Sequence, residues 1–181
     1  MTYALPTSLD IAGAPYAIYS DYRRVLEIFE MLSDPELSDQ DHATLMLEGL
    51  FCDFESIPAE SYQEAVAQAV WFLDGGITRE RTGEPVVMDW AQDYPYMIAP
   101  VNRIMGCEIR SLAYCHWWTF LAAWQEIGDC FFSNLVNIRM KRAKGKKLDK
   151  DEQAFYKKNR QAVELKRKYT NAENDLVARW S

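Results

Sequence analysis

The sequence predicts a mainly α fold: a single multi-helix domain with a short N-terminal β-hairpin and a basic C-terminal helical arm. Three observations carry that prediction. Alternating apolar residues occur in one place, near the N-terminus. Apolar residues elsewhere recur at spacings of three and four, between repeated helix start and stop signals. And one segment, Tyr114-Cys115-His116-Trp117-Trp118-Thr119-Phe120 with Trp124, places three of the six tryptophans within eight residues.

The elements follow in order. Over Ser8–Tyr19, Leu9 and Ile11 alternate with polar or small residues, as do Tyr16 and Ile18, with Gly13 between the runs and Pro15 after the turn. That pattern is a hairpin, and two strands so short must pack on something. Tyr22, Val25, Leu26, Phe29 and Leu32 then mark a helix with Ser20 as N-cap, broken by Asp34-Pro35. Ser38 with Asp41 reads as a capping box opening a helix that carries Leu45, Met46 and Leu50. Ser61 with Glu64 reads as another, starting a helix with Tyr62, Ala65, Val66, Ala69, Val70 and Leu73 on one face and Gly75-Gly76 at its end.

A polar loop covers Ile77 to Val87. Asp93 before Tyr94-Pro95 predicts a helix start, and that helix runs to Met105 with Gly106 as cap and a kink or early end at Pro100. The Trp-rich helix is expected over Leu112–Glu126, with Gly128 after it. Ala113, Trp117, Phe120, Leu121 and Trp124 share one face there, Tyr114 and Trp118 lie on the flank, and His116 and Thr119 leave a narrow polar strip. A helix so apolar is the centre of its domain or half of an interface, so Trp117, Trp118, Phe120 and Trp124 are expected to hold the core together. A short helix over Cys130–Met140, a basic linker over Lys141–Lys147 and a long helix from Asp149, boxed with Glu152, to Tyr169 complete the chain.

With 181 residues, 49% of them apolar, the chain has the makings of one full core. Residues 1–140 are expected to form an acidic helical body that includes the hairpin at 8–19, and 141–181 a basic linker and helix of the same domain. Charge separates the two. Arg139 to Lys168 holds 13 Lys/Arg against 4 Asp/Glu, whereas residues 1–138 hold 6 basic and 21 acidic side chains, within a net charge of −7. No stretch approaches the roughly 18 apolar residues of a membrane span, and Met1–Leu9 lacks a signal-peptide pattern. A soluble cytosolic protein is expected, with Cys52, Cys107, Cys115 and Cys130 as reduced thiols in apolar surroundings.

No catalytic constellation emerges. His42 and His116 have no metal-ligand partner on a shared helical face, and Cys115 and His116 point apart on a helix. Asp89, Asp93, Glu108 and Asp129 sit near helix ends, where capping accounts for them. Phosphate-cradling and nucleophile-elbow glycine motifs are lacking. The reading is of a non-enzyme with no cofactor and no metal site. The arm admits three readings: a solvated face, a protein-binding arm, or a nucleic-acid contact through Arg139, Lys141, Arg142, Lys144, Lys146 and Lys147. The heptad spacing of Phe155, Ala162 and Tyr169, and of Tyr156 and Val163, suits packing along another helix. Trp71 falls opposite the Tyr62–Leu73 stripe, either under a wide core or covering loop or as an exposed anchor. Trp71, Phe155, Tyr156, Arg139, Lys141 and Arg142 are the residues expected to meet a partner.

The order Leu5-Pro6-Thr7-Ser8, Asp21-Tyr22-Arg23, Ala69-Val70-Trp71-Phe72, Asp89-Trp90 with Asp93-Tyr94, His116-Trp117-Trp118-Thr119-Phe120, Asn137-Ile138-Arg139 and Glu152-Gln153-Ala154-Phe155-Tyr156-Lys157-Lys158 resembles the bacteriophage gp-fifteen family of Gram-positive siphophages. His-Trp-Trp-x-Phe is the most specific part, and the resemblance spans nearly the whole chain. The chain departs from the family pattern at Pro100, which bears on the length of that helix. The resemblance implies a protein of the tail module, encoded near the tape-measure protein. It would act as a tail assembly chaperone for a long non-contractile tail in the host cytoplasm. The tape-measure protein would be its partner, with self-association and the tail-tube protein as further contacts. The alternative it leaves is a structural virion component, such as a head–tail joining or tail-completion protein; nucleic-acid binding ranks behind both. No catalytic residues come with the resemblance.

Overall fold

A computed structural model describes residues 4–34, 36–77 and 85–166. The fold is mainly α, with eight α-helices and one two-stranded antiparallel hairpin among those residues. By packing, the chain divides into two units: Met1–Arg79 with Arg110–Ala122, and Glu80–Ile109 with Ala123–Ser181. The described arm belongs to the second unit, with residues 80–109.

In the first unit, strands β1 (Ser8–Ile11) and β2 (Ala14–Ala17) pair with Ser8 opposite Ala17 and Ile11 opposite Ala14. The turn, Ala12-Gly13, has positive φ at both residues (53° and 78°), as a two-residue hairpin of the twist-matched kind requires. Leu9 and Ile11 bury one face of β1, which packs on helix α3 (Tyr62–Leu73). Helix α1 (Tyr22–Met31) is capped by Asp21, one residue after the expected Ser20, because the Asp21 carboxylate accepts from Arg23 N–H at 3.0 Å. The Ser20 hydroxyl is engaged with the Tyr114 phenol at 2.7 Å. Helix α2 (Asp39–Leu50) opens with the expected Ser38/Asp41 box. It approaches α1 so closely that a Cβ on Gly49 would come within 2.8 Å of Ile28 Cγ1.

The Ser61/Glu64 box does not form. Ser61 ends a 3₁₀ turn (Ala59–Ser61) and makes no side-chain cap. Glu64 instead accepts the Ala12 N–H of the hairpin turn at 3.2 Å. The Trp-rich helix, α5 (Trp117–Gln125), starts five residues later than its periodicity suggested. Tyr114 to His116 are extended because their backbone is pledged elsewhere: Asp21 bridges His116, Tyr22 N–H donates to Cys115 O at 2.9 Å, and Trp117 N–H donates to Ser20 O at 2.8 Å. Trp117 and Phe120 are fully buried, stacked on each other, with Tyr22 stacked on Phe120 at 4.7 Å and Phe29 edge-on to Trp117. These two side chains lie at the centre of that aromatic packing.

Trp124 does not join them. It belongs to the second unit, where it packs against Trp90 with ring centroids 5.3 Å apart, and its buried indole N–H finds no hydrogen-bond partner among the described residues. The second unit's first helix, α4 (Trp90–Met105), starts at Asp89 rather than Asp93: Asp89 Oδ1 accepts Gln92 N–H at 2.7 Å. It continues through Pro95 and Pro100 to the expected cap at Gly106, with Pro100 buried in the packing rather than ending the helix. Helix α6 (Phe131–Ala143) is capped reciprocally by Cys130 and Ser133 and runs into the predicted linker. The expected long C-terminal helix is two short ones, α7 (Lys150–Lys158) and α8 (Arg160–Val163), broken at Asn159. The Asp149/Glu152 box is present, while Tyr169 lies outside the described residues.

All four cysteines are free thiols. Cys115 is buried, Cys130 caps α6, and Cys52 and Cys107 are exposed rather than in the apolar surroundings expected of them.

Candidate partner-binding groove

The first unit carries an open groove of about 660 Å³, built from three pieces. One wall is the N-terminal segment from Ala4 to Asp10, another is the exposed side of α3 at Gln68 and Trp71, and Gly75, Gly76 and Trp118 close the end. The volume falls in the range of ligand pockets, ~300–1,000 Å³.

The end of α3 explains why tryptophans are needed here. A helix leaves its last carbonyls unpaired. Gly75 and Gly76 take left-handed conformations (φ 74° and 79°) and return N–H groups to Phe72 O and Trp71 O. Two carbonyls then receive indoles: Trp118 Nε1 donates to Phe72 O at 2.8 Å and Trp117 Nε1 to Leu73 O at 2.9 Å. A Cβ on Gly76 would come within 2.7 Å of the Trp118 ring, so the glycine also lets the indole lie against the backbone. Trp118 is thereby fixed at the groove's edge, and Trp71 stands edge-on to it at 5.3 Å. Trp71 is 36% exposed, which places it on the surface as an apolar side chain with one face in water.

His116 secures the opposite wall. It is buried, its Nδ1 accepts the Trp118 N–H at 3.0 Å, and its Nε2 lies 2.9 Å from Pro6 O. With Nδ1 accepting, Nε2 carries the proton and donates to Pro6. One imidazole thus starts helix α5 and holds the N-terminal segment in place.

The remaining residues expected to meet a partner lie in the second unit and are committed within it. Arg139 is the clearest correction. It is buried, pairs with Asp93 through both ends of its guanidinium (2.6 and 2.8 Å), and donates to Val163 O, Val87 O and Ala162 O. Those five bonds match the five N–H donors of arginine. Phe155 and Tyr156 are half-buried against Leu135, Ile138, Ala162 and Val163, so their stripe packs inside this unit. Arg142 sits over the Tyr156 ring at 4.5 Å and near Glu164 at 3.9 Å, and Lys141 pairs with Glu152. Lys141, followed by the Asp149 N–H, holds the Glu152 carboxyl below the ordinary glutamate range. The Tyr156 hydroxyl and then Arg160 do the same for Glu164.

The structure brings Trp71 and Trp118 together, which the helical periodicity separated into partner face and core. It adds the Ala4–Asp10 wall, of which helical periodicity carries no sign. Among the described residues, no group of three or more His, Cys, Asp or Glu is placed to hold a metal ion, and no helix is long and apolar enough to cross a membrane.

Residues 1–165 match the model of the family described as Bacteriophage Gp15 protein. The chain belongs to that family. The match covers the groove and every described helix of this Gp15-family protein, including α8. It is a phage protein, of the structural or assembly kind. No curated protein and no solved structure matches the chain.

Proposed function

We propose that this protein is a tail assembly chaperone that binds the tape-measure protein of its phage without catalysis, while a long non-contractile tail is being built. The observation that carries the reading is the Trp71–Trp118 groove, an exposed aromatic surface on a unit whose residues include 14 acidic and 4 basic side chains. A chaperone for a long apolar-patterned polypeptide needs apolar contact area together with a charge that keeps it soluble. Release into the host cytoplasm after tube assembly, contact with tail-tube subunits and reversible self-association belong to the same proposal.

Co-expression with the phage's own tape-measure protein, followed by pull-down and size-exclusion chromatography, tests it. A soluble complex with many copies per tape measure, and no copies in mature virions by mass spectrometry, is the expected result. Absence of a complex, with the protein present in virions, would replace this reading with a structural virion component. The family membership supports that second reading equally; the exposed aromatic groove favours the first.

A further inference from the structure

The two outer edges of the hairpin are not equivalent. Ile18 N–H donates to Thr7 O at 3.0 Å, so Thr7 and Ile18 are a hydrogen-bonded pair. Antiparallel pairs alternate. Leu9–Tyr16 and Ile11–Ala14 are therefore bonded across the hairpin, and Ser8–Ala17 and Asp10–Pro15 are not. The peptide groups of Ser8 and Asp10 point away from β2. On the other edge, Pro15 has no N–H to offer, and Ala17 O is already taken by Cys52 N–H at 3.0 Å. Natural sheets close exposed edges with such devices. Among the described residues, β2 is closed and β1 is open, and Ser8, Leu9 and Asp10 of that open strand line the groove.

We infer that the groove receives an extended polypeptide segment that adds as a third strand along β1, with apolar or aromatic residues alternating with Lys or Arg. This rests on the binding reading of the groove given above and names the chemistry of what it binds. Strand addition supplies affinity through main-chain hydrogen bonds and selectivity through alternate side chains. Along an added strand, every second side chain falls on the face of Leu9 and Ile11, which are buried on the strand that packs on α3, the helix that carries Trp71. The others fall on the face of Ser8 and Asp10, beside a carboxylate. The groove lining contains Asp10 and no Lys or Arg, and Glu64 lies at the hairpin turn. Charge complementarity thus selects a basic partner segment over an acidic one.

The probe is a short synthetic peptide in which Lys alternates with Phe and Val, with a control of the same length and charge in which Pro replaces some of the Phe and Val. On the full-length protein, the alternating probe is expected to slow amide exchange at Ser8 and Asp10, and the control to leave it unchanged. Ser8→Pro removes one outward N–H while sparing the hairpin ladder, as Pro15 does on β2. It should leave the melting temperature unchanged and raise the probe's Kd about tenfold or more. Unchanged exchange at Ser8 and Asp10 under saturating probe would overturn the inference, as would equal probe affinity in Ser8→Pro. A Ser8→Pro effect confined to self-association in size-exclusion would overturn it too, making a second copy the occupant of the edge. A tape-measure complex that forms equally with Ser8→Pro defeats strand addition and leaves the chaperone reading standing. Probe capture without any tape-measure complex does the reverse.

Discussion

At the scale of single residues, burial decides which aromatic residue serves the fold and which the surface. Trp117 is fully buried and donates to Leu73 O. Trp117→Ala should cost about 3–5 kcal/mol, enough to unfold most domains of this size. Trp71 is about a third exposed and meets Trp118 edge-on, so Trp71→Ala should cost clearly less than Trp117→Ala in a denaturant titration while weakening the complex sought in the tape-measure co-expression test. Unfolding by Trp71→Ala would end the partner-face reading. Arg139 poses a different problem: a buried guanidinium is stable only with its full set of acceptors. Arg139→Met leaves Asp93 charged and buried, and should destabilise by about 3–5 kcal/mol in thermal or chemical unfolding. Adding Asp93→Leu should recover much of that loss, because no uncompensated charge remains. None of this is legible locally: Arg139 and Asp93 are 46 residues apart, and a basic cluster looks the same whether one of its members is solvated or buried.

At the scale of elements, local chemistry was readable and long-range pairing was not. The boxes at Ser38/Asp41 and Asp149/Glu152 form because both partners lie within one turn and nothing competes for them. Ser61/Glu64 has the same spelling, but Glu64 is claimed by the hairpin turn 52 residues away. The apolar spacing of Tyr114 to Trp124 fits a helix throughout, yet Asp21 draws Cys115 and His116 into an extended bridge. Hairpin, helix stops and the central pair Trp117 and Phe120 follow from pattern; the groove does not, because its walls come from three separate parts of the chain. The box at the start of α7 also titrates. Glu152 has a carboxyl held below its ordinary range by Lys141 and Asp149, so it contributes stability at neutral pH. That contribution is lost as pH falls through the lowered folded value. Glu152→Gln should therefore flatten the acid limb of the stability–pH curve below the ordinary glutamate range, measured by thermal melts across that window.

At the scale of the whole molecule, charge argues about partners rather than fold. The chain carries 27 acidic and 20 basic side chains, and cations of the basic arm, among them Arg139, Lys141, Arg142 and Arg160, have intramolecular partners. A short DNA duplex should show no retention by this protein in a mobility-shift assay at physiological salt; salt-sensitive binding would reopen the nucleic-acid reading. The division of the chain has a consequence for its synthesis. The first unit takes its central side chains, Trp117 and Phe120, from a segment that follows residue 79 only after some thirty residues of the second unit. At roughly 5–20 residues per second, the hairpin and α1–α3 wait on the ribosome for about 2–8 s before Trp117 is made. During that interval Phe29 lacks Trp117 and Phe72 lacks Trp118. For those seconds the nascent chain of this phage protein exposes apolar surface of the kind that general chaperones cover.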